Sequence, residues 1–216
     1  MLPPIKINRF LILDKFLLLG ILLLVGCQSE QKSSEPVSIG YVSKSLGFPV
    51  VNRYNQKYIL ARQSRIYPAD IFDTDESSMV EITFLDESRI TITQKSHLVL
   101  HNYVSAKKSS SMDLNLTKGT MRADLNSRMR LKLRTPLAVA QLKGGGSYAR
   151  FASNALEIVM LESGNMKVTN DDGEVAINTK SYGTTVVAGS APQTPYLWSN
   201  RRLRRVILAT TVQADP

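Results

Sequence analysis

Cysteine is almost absent from the sequence, and its scarcity excludes several kinds of chemistry. Cys27 is the only cysteine among 216 residues, so no intramolecular disulfide can form and stability must come from apolar burial. Histidine is nearly as scarce, with two residues, and neither stands beside a recognisable Ser, Thr or Cys nucleophile motif. We therefore expect no enzymatic activity, because no stretch meets the residue and geometry requirements of an active site.

The two histidines are too far apart to bind one metal ion. His97 and His101 have the spacing of a metal pair on a helix, but Leu98 and Leu100 alternate with polar residues here, which indicates a strand. In a strand the two rings would be about 13 Å apart. Four carboxylates precede them without the glycine-centred order of a calcium loop: Asp70, Asp73, Asp75 and Glu76. We therefore expect surface histidines, a solvated acidic turn, and neither a metal nor a cofactor.

No apolar run in the sequence has the length of a membrane span, which takes about 20 residues. The longest run, 16–25, follows the charged pair Asp14-Lys15 and leads to Leu24-Val25-Gly26-Cys27. That ending resembles a bacterial lipobox, so 1–26 is predicted to be a lipoprotein signal peptide and Cys27 the lipidated first residue of the mature chain. Since Gln28 rather than Asp follows, the resemblance to diderm lipoproteins implies the periplasmic face of the outer membrane.

The rest of the chain reads as one tethered domain with a basic tail. Residues 27–37 are polar and lack an apolar period, so they are predicted to be a flexible tether. Residues 38–193 can bury a full core as one unit. Residues 194–216 contain two pairs of arginines, at 201–202 and 204–205. This tail could lie on an anionic lipid surface through Trp198 and its aliphatic residues, or form a final strand with a charged edge.

Apolar and polar residues alternate along most of residues 38–193, and this period of two predicts strands. The strands are short and separated by turn residues, and no helical period is evident between the leader and the tail. We therefore predict a single all-β domain of short bent strands, arranged as a sandwich, barrel or solenoid. The side chains expected inside are Val80, Ile82, Phe84, Ile90, Ile92, Leu98, Leu100, Leu114, Leu116, Leu131, Leu133, Ile158 and Val168.

Five segments follow the order and spacing of motifs in one known family. Residues 69–74 resemble Gly-Asp-x-Ile-x-Thr, and residues 84–88 resemble Phe-x-Asp-Gly-Ser. The others resemble Leu-x-Leu-x-x-Gly at 114–119, Thr-Pro-x-Ala-x-x-x-x-(Arg/Lys)-Gly at 135–144, and Val-x-Glu-Gly-x-Val-x-Val at 161–168. Over about 39–189 the chain therefore resembles the FecR-like periplasmic domain family. The resemblance implies a solenoid-like stack of bent strands.

The chain departs from the family pattern at three places. Ala69 and Glu87 stand where the family usually has glycine, so these turns form either without a positive φ or under strain. Gly145-Gly146 replace the Thr and acidic residue with which the family often continues, which removes support for a ligand there, and we expect residues 144–146 to bend between strands. FecR-type regulators also carry a cytoplasmic anti-sigma segment and a membrane span ahead of this domain, where this chain has the predicted lipoprotein leader.

One basic strand suggests where a partner would bind this cationic chain, whose formal net charge is +9 at pH 7. Met129, Leu131 and Leu133 are expected to point inward, which leaves the intervening side chains on the outer face. These form a positive ridge: Arg128, Arg130, Lys132 and Arg134. The ridge either contacts an anionic partner or is simply a solvated surface. Nucleic acid is not an expected partner of an exported, lipid-anchored chain.

Two functions remain open at the level of sequence. The first is a lipid-anchored, non-enzymatic interaction module of the cell envelope, which contacts the membrane through Cys27 and binds an unknown envelope protein or anionic polymer. The second is a periplasmic signal-transduction component related to iron-responsive FecR regulators but lacking their anti-sigma segment. Both are implied by the resemblance, and the sequence does not name the partner.

Overall fold

The computed structural model describes residues 36–213, which form fifteen strands and one helix. The predicted signal peptide, Cys27 and the tether up to residue 35 lie outside these residues. The first eight strands are β1 (Gly40–Leu46), β2 (Val50–Arg53), β3 (Gln56–Ile59), β4 (Arg65–Ile66), β5 (Ile71–Asp73), β6 (Met79–Phe84), β7 (Arg89–Ile92) and β8 (His97–Val104). The others are β9 (Ser110–Arg134), β10 (Val139–Ala152), β11 (Ala155–Met160), β12 (Asn165–Asn170), β13 (Gly173–Ile177), β14 (Tyr182–Val187) and β15 (Tyr196–Leu197), followed by helix α1 (Asn200–Ala209).

All fifteen strands belong to one antiparallel sheet that divides into branches at its two longest strands, β9 and β10. One path runs β15-β14-β11-β10-β9-β7-β6-β1-β4. Away from this path, β10 also pairs with β12, which carries β13, and β9 also pairs with β8, which leads through β5 and β2 to β3. Strand β10 pairs with β12 over 139–143 and with β11 over 147–152, so it passes from one branch to the other.

The hydrophobic core lies between the branches. Val51 and Phe72 from one branch share a single buried cluster with Ile82 and Ile90 from the other, as the two layers of a sandwich do. Each of the thirteen side chains predicted to be inside is buried, with no more than 3% of its surface exposed. The prediction of an all-β domain is therefore confirmed. Because residues 36–213 enclose this core by themselves, we expect them to fold without the preceding residues.

The two turns that lack the glycine of the family pattern adopt the strained backbone conformation. Ala69 has a φ of 65° and Glu87 a φ of 68°, both in the left-handed region that disfavours residues with a Cβ atom. Such a conformation costs about 1–2 kcal/mol per non-glycine residue. The sequence left open whether these turns avoid a positive φ or adopt it under strain. Both turns adopt it.

The glycine run was expected to bend between strands, and this expectation is wrong. Gly144 and Gly145 lie within β10, where they have φ values of 60° and 79° and form a bulge after Lys143. A Cβ atom on Gly145 would collide with the carbonyl oxygen of Ser163. The run therefore lets one continuous strand change partners from β12 to β11 while another turn packs closely against it.

The C-terminal segment is helical and packs on the domain, so the alternative of a final strand is wrong for residues 200–209. Ser199 caps α1, since its Oγ accepts a hydrogen bond from the amide of Arg202. Trp198 is 2% exposed, which contradicts its placement at a lipid surface. The buried cluster that joins the helix to the sheet contains Tyr148, Val159, Leu161, Trp198, Leu203 and Val206. The folded unit thus continues past residue 193, the predicted end of the domain.

Within residues 36–213, no helix has the length and hydropathy needed to span a membrane.

Candidate functional site

The outer face of β9, β10 and β12 collects basic and amide side chains. Met129, Leu131 and Leu133 are buried, so the alternation predicted for this part of β9 is confirmed. Strand β10 pairs with β9 on one side and with β12 on the other, and the register sets outward residues of the three strands side by side. They form two rows: Arg130, Lys143 and Asn165 in the first, and Lys132, Gln141 and Lys167 in the second.

The spacing within these rows brings four cations close together. Directly paired residues have Cβ atoms about 4.5–5.5 Å apart, and alternate residues along one strand are about 6.6 Å apart. Arg130 and Lys143 are direct cross-strand neighbours, while Lys132 and Lys167 lie on either side of Gln141. Like charges at such distances repel one another, and an anionic group placed among them relieves that repulsion.

A groove of about 630 Å³ lies over these rows, and we call it the basic groove. The four cations and Asp113 line it, and besides these charged residues the lining has four amide side chains: Asn102, Gln141, Asn165 and Asn178. Amides both donate and accept hydrogen bonds, so they can bind hydroxyl or amide groups. The arginine and lysine side chains can pair with carboxylates or phosphates. The groove therefore suits a ligand that carries negative charge on a hydrogen-bonding framework.

Two residues of the ridge predicted from the sequence line the basic groove, and the other two bind neighbouring parts of the fold. Arg130 and Lys132 line the basic groove. Arg134 instead binds Asp113 through two hydrogen bonds, Nε to Oδ1 at 3.0 Å and Nη2 to Oδ2 at 2.9 Å, and this carboxylate raises the pKa of Arg134. Arg128 donates from Nη1 to the carbonyl oxygen of Lys107 at 2.9 Å. Half of the predicted contact residues thus face the groove directly.

Two lysines of the basic groove were not among the contact residues predicted from the sequence, although both lie in segments that resemble family motifs. Lys143 and Lys167 lie on β10 and β12, and only the strand register brings them beside the predicted ridge. Lys167 forms an exposed ion pair with Glu174 at 2.6 Å, which water and salt weaken. Among residues 36–213, no acidic group lies within ion-pairing distance of Arg130, Lys132 or Lys143. The groove therefore keeps a net positive charge.

Asp70 was expected in a solvated turn, and the structure corrects this. Its side chain is fully buried, and Arg53 binds both of its oxygens, Nε to Oδ1 at 2.7 Å and Nη2 to Oδ2 at 2.7 Å. The backbone N–H of Tyr67 also donates to Oδ2 at 2.9 Å, and the guanidinium lies 4.3 Å from the centre of the Tyr67 ring. The hydrogen bond to Asp70 raises the pKa of Arg53. This pair holds β2 against the turn before β5.

The other three carboxylates of that turn lie at the surface and have partners. Asp73 contacts His97, with 2.6 Å between Oδ1 and Nδ1, and Glu76 pairs with Lys95 at 2.6 Å. Hydrogen bonds from Ser78 and Ser77 lower the pKa of Asp75. Within the described residues, no group of three or more His, Cys, Asp or Glu side chains is arranged to hold a metal ion.

The side chains in the remaining motifs also hold turns together. Thr74 Oγ1 donates to the carbonyl oxygen of Thr93 and accepts from the amide of Ser96 at 2.9 Å. Asp86 accepts hydrogen bonds from the hydroxyls of Ser88, at 2.8 Å, and Tyr103, at 3.0 Å. Burial and the nearby Asp86 charge raise the pKa of Tyr103 to about 12. These motif residues therefore account for the fold rather than for a binding site.

The described residues form an all-β domain, with antiparallel branches around one core and a basic groove on the outer face. Polar side chains hold the turns that join the strands. Residues 70–164 match the family described as FecR protein. The match covers less than half of the chain, and it agrees with the resemblance found in the sequence motifs. No curated protein matches the chain.

Two crystal structures have a similar fold. Both show a candidate anti-sigma factor from Parabacteroides distasonis ATCC 8503, at 2.50 Å and 1.65 Å resolution, and each has a TM-score of 0.51. The sequence identities are 9% and 8%, over 63% of this chain and over 63% and 64% of the chains compared. The chain thus spans less than two thirds of the length of these structures. At such low identity the similarity concerns the fold alone.

Proposed function

We propose that this protein is a non-enzymatic interaction module of the bacterial envelope, anchored by lipid at Cys27, whose basic groove binds an anionic polymer of the cell wall. The observation that carries the proposal is a cluster of four cations on the outer face of three adjacent strands: Arg130, Lys132, Lys143 and Lys167. Three of these cations have no acidic partner within ion-pairing distance among residues 36–213. Since Asp113 is bound to Arg134 and Glu174 pairs only with Lys167, the cations outnumber the carboxylates here, and such a surface favours an external anion.

The size and shape of the basic groove favour a chain-like ligand. Its volume of about 630 Å³ lies within the range of pockets that bind small molecules or short segments of polymers. Each cation has another cation about 5–8 Å away, across a strand pair, along a strand or diagonally, so successive anionic groups of a polymer can each contact one. The amides between them can bind the uncharged hydroxyl and amide groups of a cell-wall polymer.

Replacing Arg130 and Lys132 together by glutamine is expected to weaken binding to isolated peptidoglycan about tenfold, equivalent to 1.4 kcal/mol. Glutamine keeps the polar outer face but removes both charges, so the fold should be unchanged. Binding of the unaltered protein should also fall as salt is raised from about 0.05 to 0.5 M, because the Debye length shortens from about 14 to 4 Å. Co-sedimentation with peptidoglycan across this salt series measures both effects.

The matched control for that experiment removes one lysine and one arginine elsewhere. Lys57 and Arg62 are exposed and lie outside the basic groove, so the double variant Lys57→Gln/Arg62→Gln has the same net charge as the groove variant. It should bind peptidoglycan as the unaltered protein does. Equal losses in the two double variants would show that total charge, and not the groove, governs binding.

Mass spectrometry of the protein purified from its native membrane is expected to show a mature chain that begins at Cys27 and carries acyl groups. The basis is the basic n-region of the leader, its short apolar run and the ending Leu24-Val25-Gly26-Cys27. The variant Cys27→Ser should keep its leader and lose the lipid mass. A chain that begins at Cys27 without added mass, or a leader retained by the unaltered protein as well, would contradict lipid anchoring.

A second function is favoured by the fold similarity to a candidate anti-sigma factor. In this alternative the protein transmits a signal from a transporter or sensor in the envelope and does not bind cell-wall polymer. Crosslinking of the lipidated protein in its native membrane distinguishes the two. Capture of a TonB-dependent receptor or a signalling protein would favour the alternative, and capture of cell-wall material would favour the polymer-binding module.

A further inference from the structure

The exposed side of helix α1 carries three arginines around an exposed leucine. Successive residues of a helix are rotated by about 100°, so Arg201, Arg204, Arg205 and Leu208 share one side. The buried residues Leu203 and Val206 lie on the opposite side. Leu208 is 74% exposed. We call this surface, made of Arg201, Arg204, Arg205 and Leu208, the arginine face.

The positions of the charges in the arginine face lower the stability of helix α1. The first turn of α1 contains no acidic residue and the last turn contains no basic residue, so the positive charges lie towards the positive end of the helix dipole. Arg201 is three residues from Arg204 and four from Arg205, and like charges at these spacings repel one another. A sequence chosen for helix stability alone would place these charges at the other end.

The fourth arginine of the helix, Arg202, has its charge compensated by an acidic side chain. Arg202 binds Glu157 at 2.7 Å and lies 3.4 Å from the centre of the Trp198 ring. Within the described residues, Arg201, Arg204 and Arg205 have no acidic group within ion-pairing distance. These three positive charges are therefore not compensated within residues 36–213.

We propose that the arginine face binds the anionic headgroups of a lipid bilayer. Guanidinium groups pair with phosphate oxygens in a planar, two-point geometry, and a leucine among them can enter the boundary between headgroups and acyl chains. This leucine distinguishes a bilayer from an acidic protein segment, which would need only the charges. The helix presents a convex outer side, which suits a broad surface, whereas the basic groove is concave and suits a chain.

The packing beneath α1 keeps the arginine face in place. Trp198 is buried, and its ring meets the Tyr148 ring edge-on with 6.0 Å between their centres. Leu203 and Val206 join the same cluster, so the helix is held on the sheet before any contact with lipid. Binding then needs no folding of the helix, which lowers its entropic cost. The contact is independent of Cys27 and would supplement an acyl anchor.

The test uses residues 28–216, which include the whole described unit but not the predicted leader or lipid site. We expect this protein to float with vesicles of phosphatidylcholine containing 30% phosphatidylglycerol, and not with vesicles of phosphatidylcholine alone. One basic residue near an anionic leaflet contributes about fivefold in binding, so Arg201→Gln/Arg205→Gln should lower partitioning about 25-fold. Leu208→Ser should also lower it, although it changes no charge.

Two controls separate this surface from the basic groove and from misfolding. Arg130→Gln/Lys132→Gln removes the same charge from the groove and should leave vesicle binding unchanged, while Arg201→Gln/Arg205→Gln should leave peptidoglycan binding unchanged. Replacing Arg201 and Arg205 by glutamine removes repulsion between like charges on the helix, so the melting temperature of this double variant should stay the same or rise. Equal loss of vesicle binding in both double variants, or undiminished binding in the helix variant, would overturn the proposal. Binding to polyglutamate but not to anionic vesicles would assign the face to an acidic protein.

Discussion

Replacing Arg53 by methionine is expected to lower the free energy of unfolding by about 3–5 kcal/mol, the usual cost of breaking a buried ion pair from one side. The Asp70 side chain is fully buried and the Arg53 side chain is 19% exposed. Methionine keeps much of the apolar stem but removes the guanidinium that binds both carboxylate oxygens. The remaining carboxylate would keep only the hydrogen bond from the Tyr67 backbone. Denaturation by urea measures the loss.

The double variant Arg53→Met/Asp70→Leu should cost less than the sum of its two single variants, because it leaves no unpaired charge. An exposed pair provides the comparison. Lys95 and Glu76 are 2.6 Å apart, close to the 2.7 Å of the buried pair, but their side chains are 59% and 81% exposed. Lys95→Met should therefore lower the free energy of unfolding far less than Arg53→Met, because water and salt screen an exposed pair. Similar losses in the free energy of unfolding at the two sites would mean that the burial of Asp70 does not increase the cost of removing its partner.

Replacing Phe84 by alanine is expected to lower the free energy of unfolding by about 3–5 kcal/mol, through lost burial and the cavity that remains. Phe84 is 3% exposed and its ring stacks on that of Tyr103, with 5.1 Å between the centres. The Tyr103 hydroxyl in turn binds both the amide and the carboxylate of Asp86, each at 3.0 Å. The cavity would therefore lie directly beneath the turn at 84–88.

Phe48→Ala is the matched control for this prediction. Phe48 is 69% exposed, so its truncation removes little buried surface and should change stability by no more than about 0.5 kcal/mol. Urea denaturation of both variants, with circular dichroism to check the strand content, measures the difference. If Phe84→Ala costs as little as Phe48→Ala, the turn at 84–88 does not close over the core in the way described.

The motif positions and the residues proposed to bind a partner overlap at Lys143, which stands at the Arg/Lys position of the segment 135–144, but are otherwise different. Asp70, Thr74 and Asp86 belong to motifs, and each is occupied by hydrogen bonds that hold a strand or a turn. Lys132 and Lys167 lie on outer strand faces, where the fold tolerates many polar residues. The match to the family model therefore bears on the fold, while the proposed partner depends mainly on surface residues, which a fold can vary.

The sequence by itself determined the strands and their buried sides. Alternation along β6 and β9 is a local property, because successive side chains of a strand point to opposite faces whatever the strand pairs with. That is why all thirteen expected core side chains are buried. The same local rule placed Arg130 and Lys132 outside, which is where the structure has them.

Tertiary structure decided the features that depend on residues far apart in the chain. The basic groove needs the register that sets Gln141 between Lys132 and Lys167. The burial of Asp70 needs Arg53, which is 17 residues away and on another strand. Residues 200–209 form a helix rather than a strand because packing against the sheet stabilises the burial of one helical face. Pairing and burial of this kind arise only when distant segments meet, so local periodicity cannot encode them.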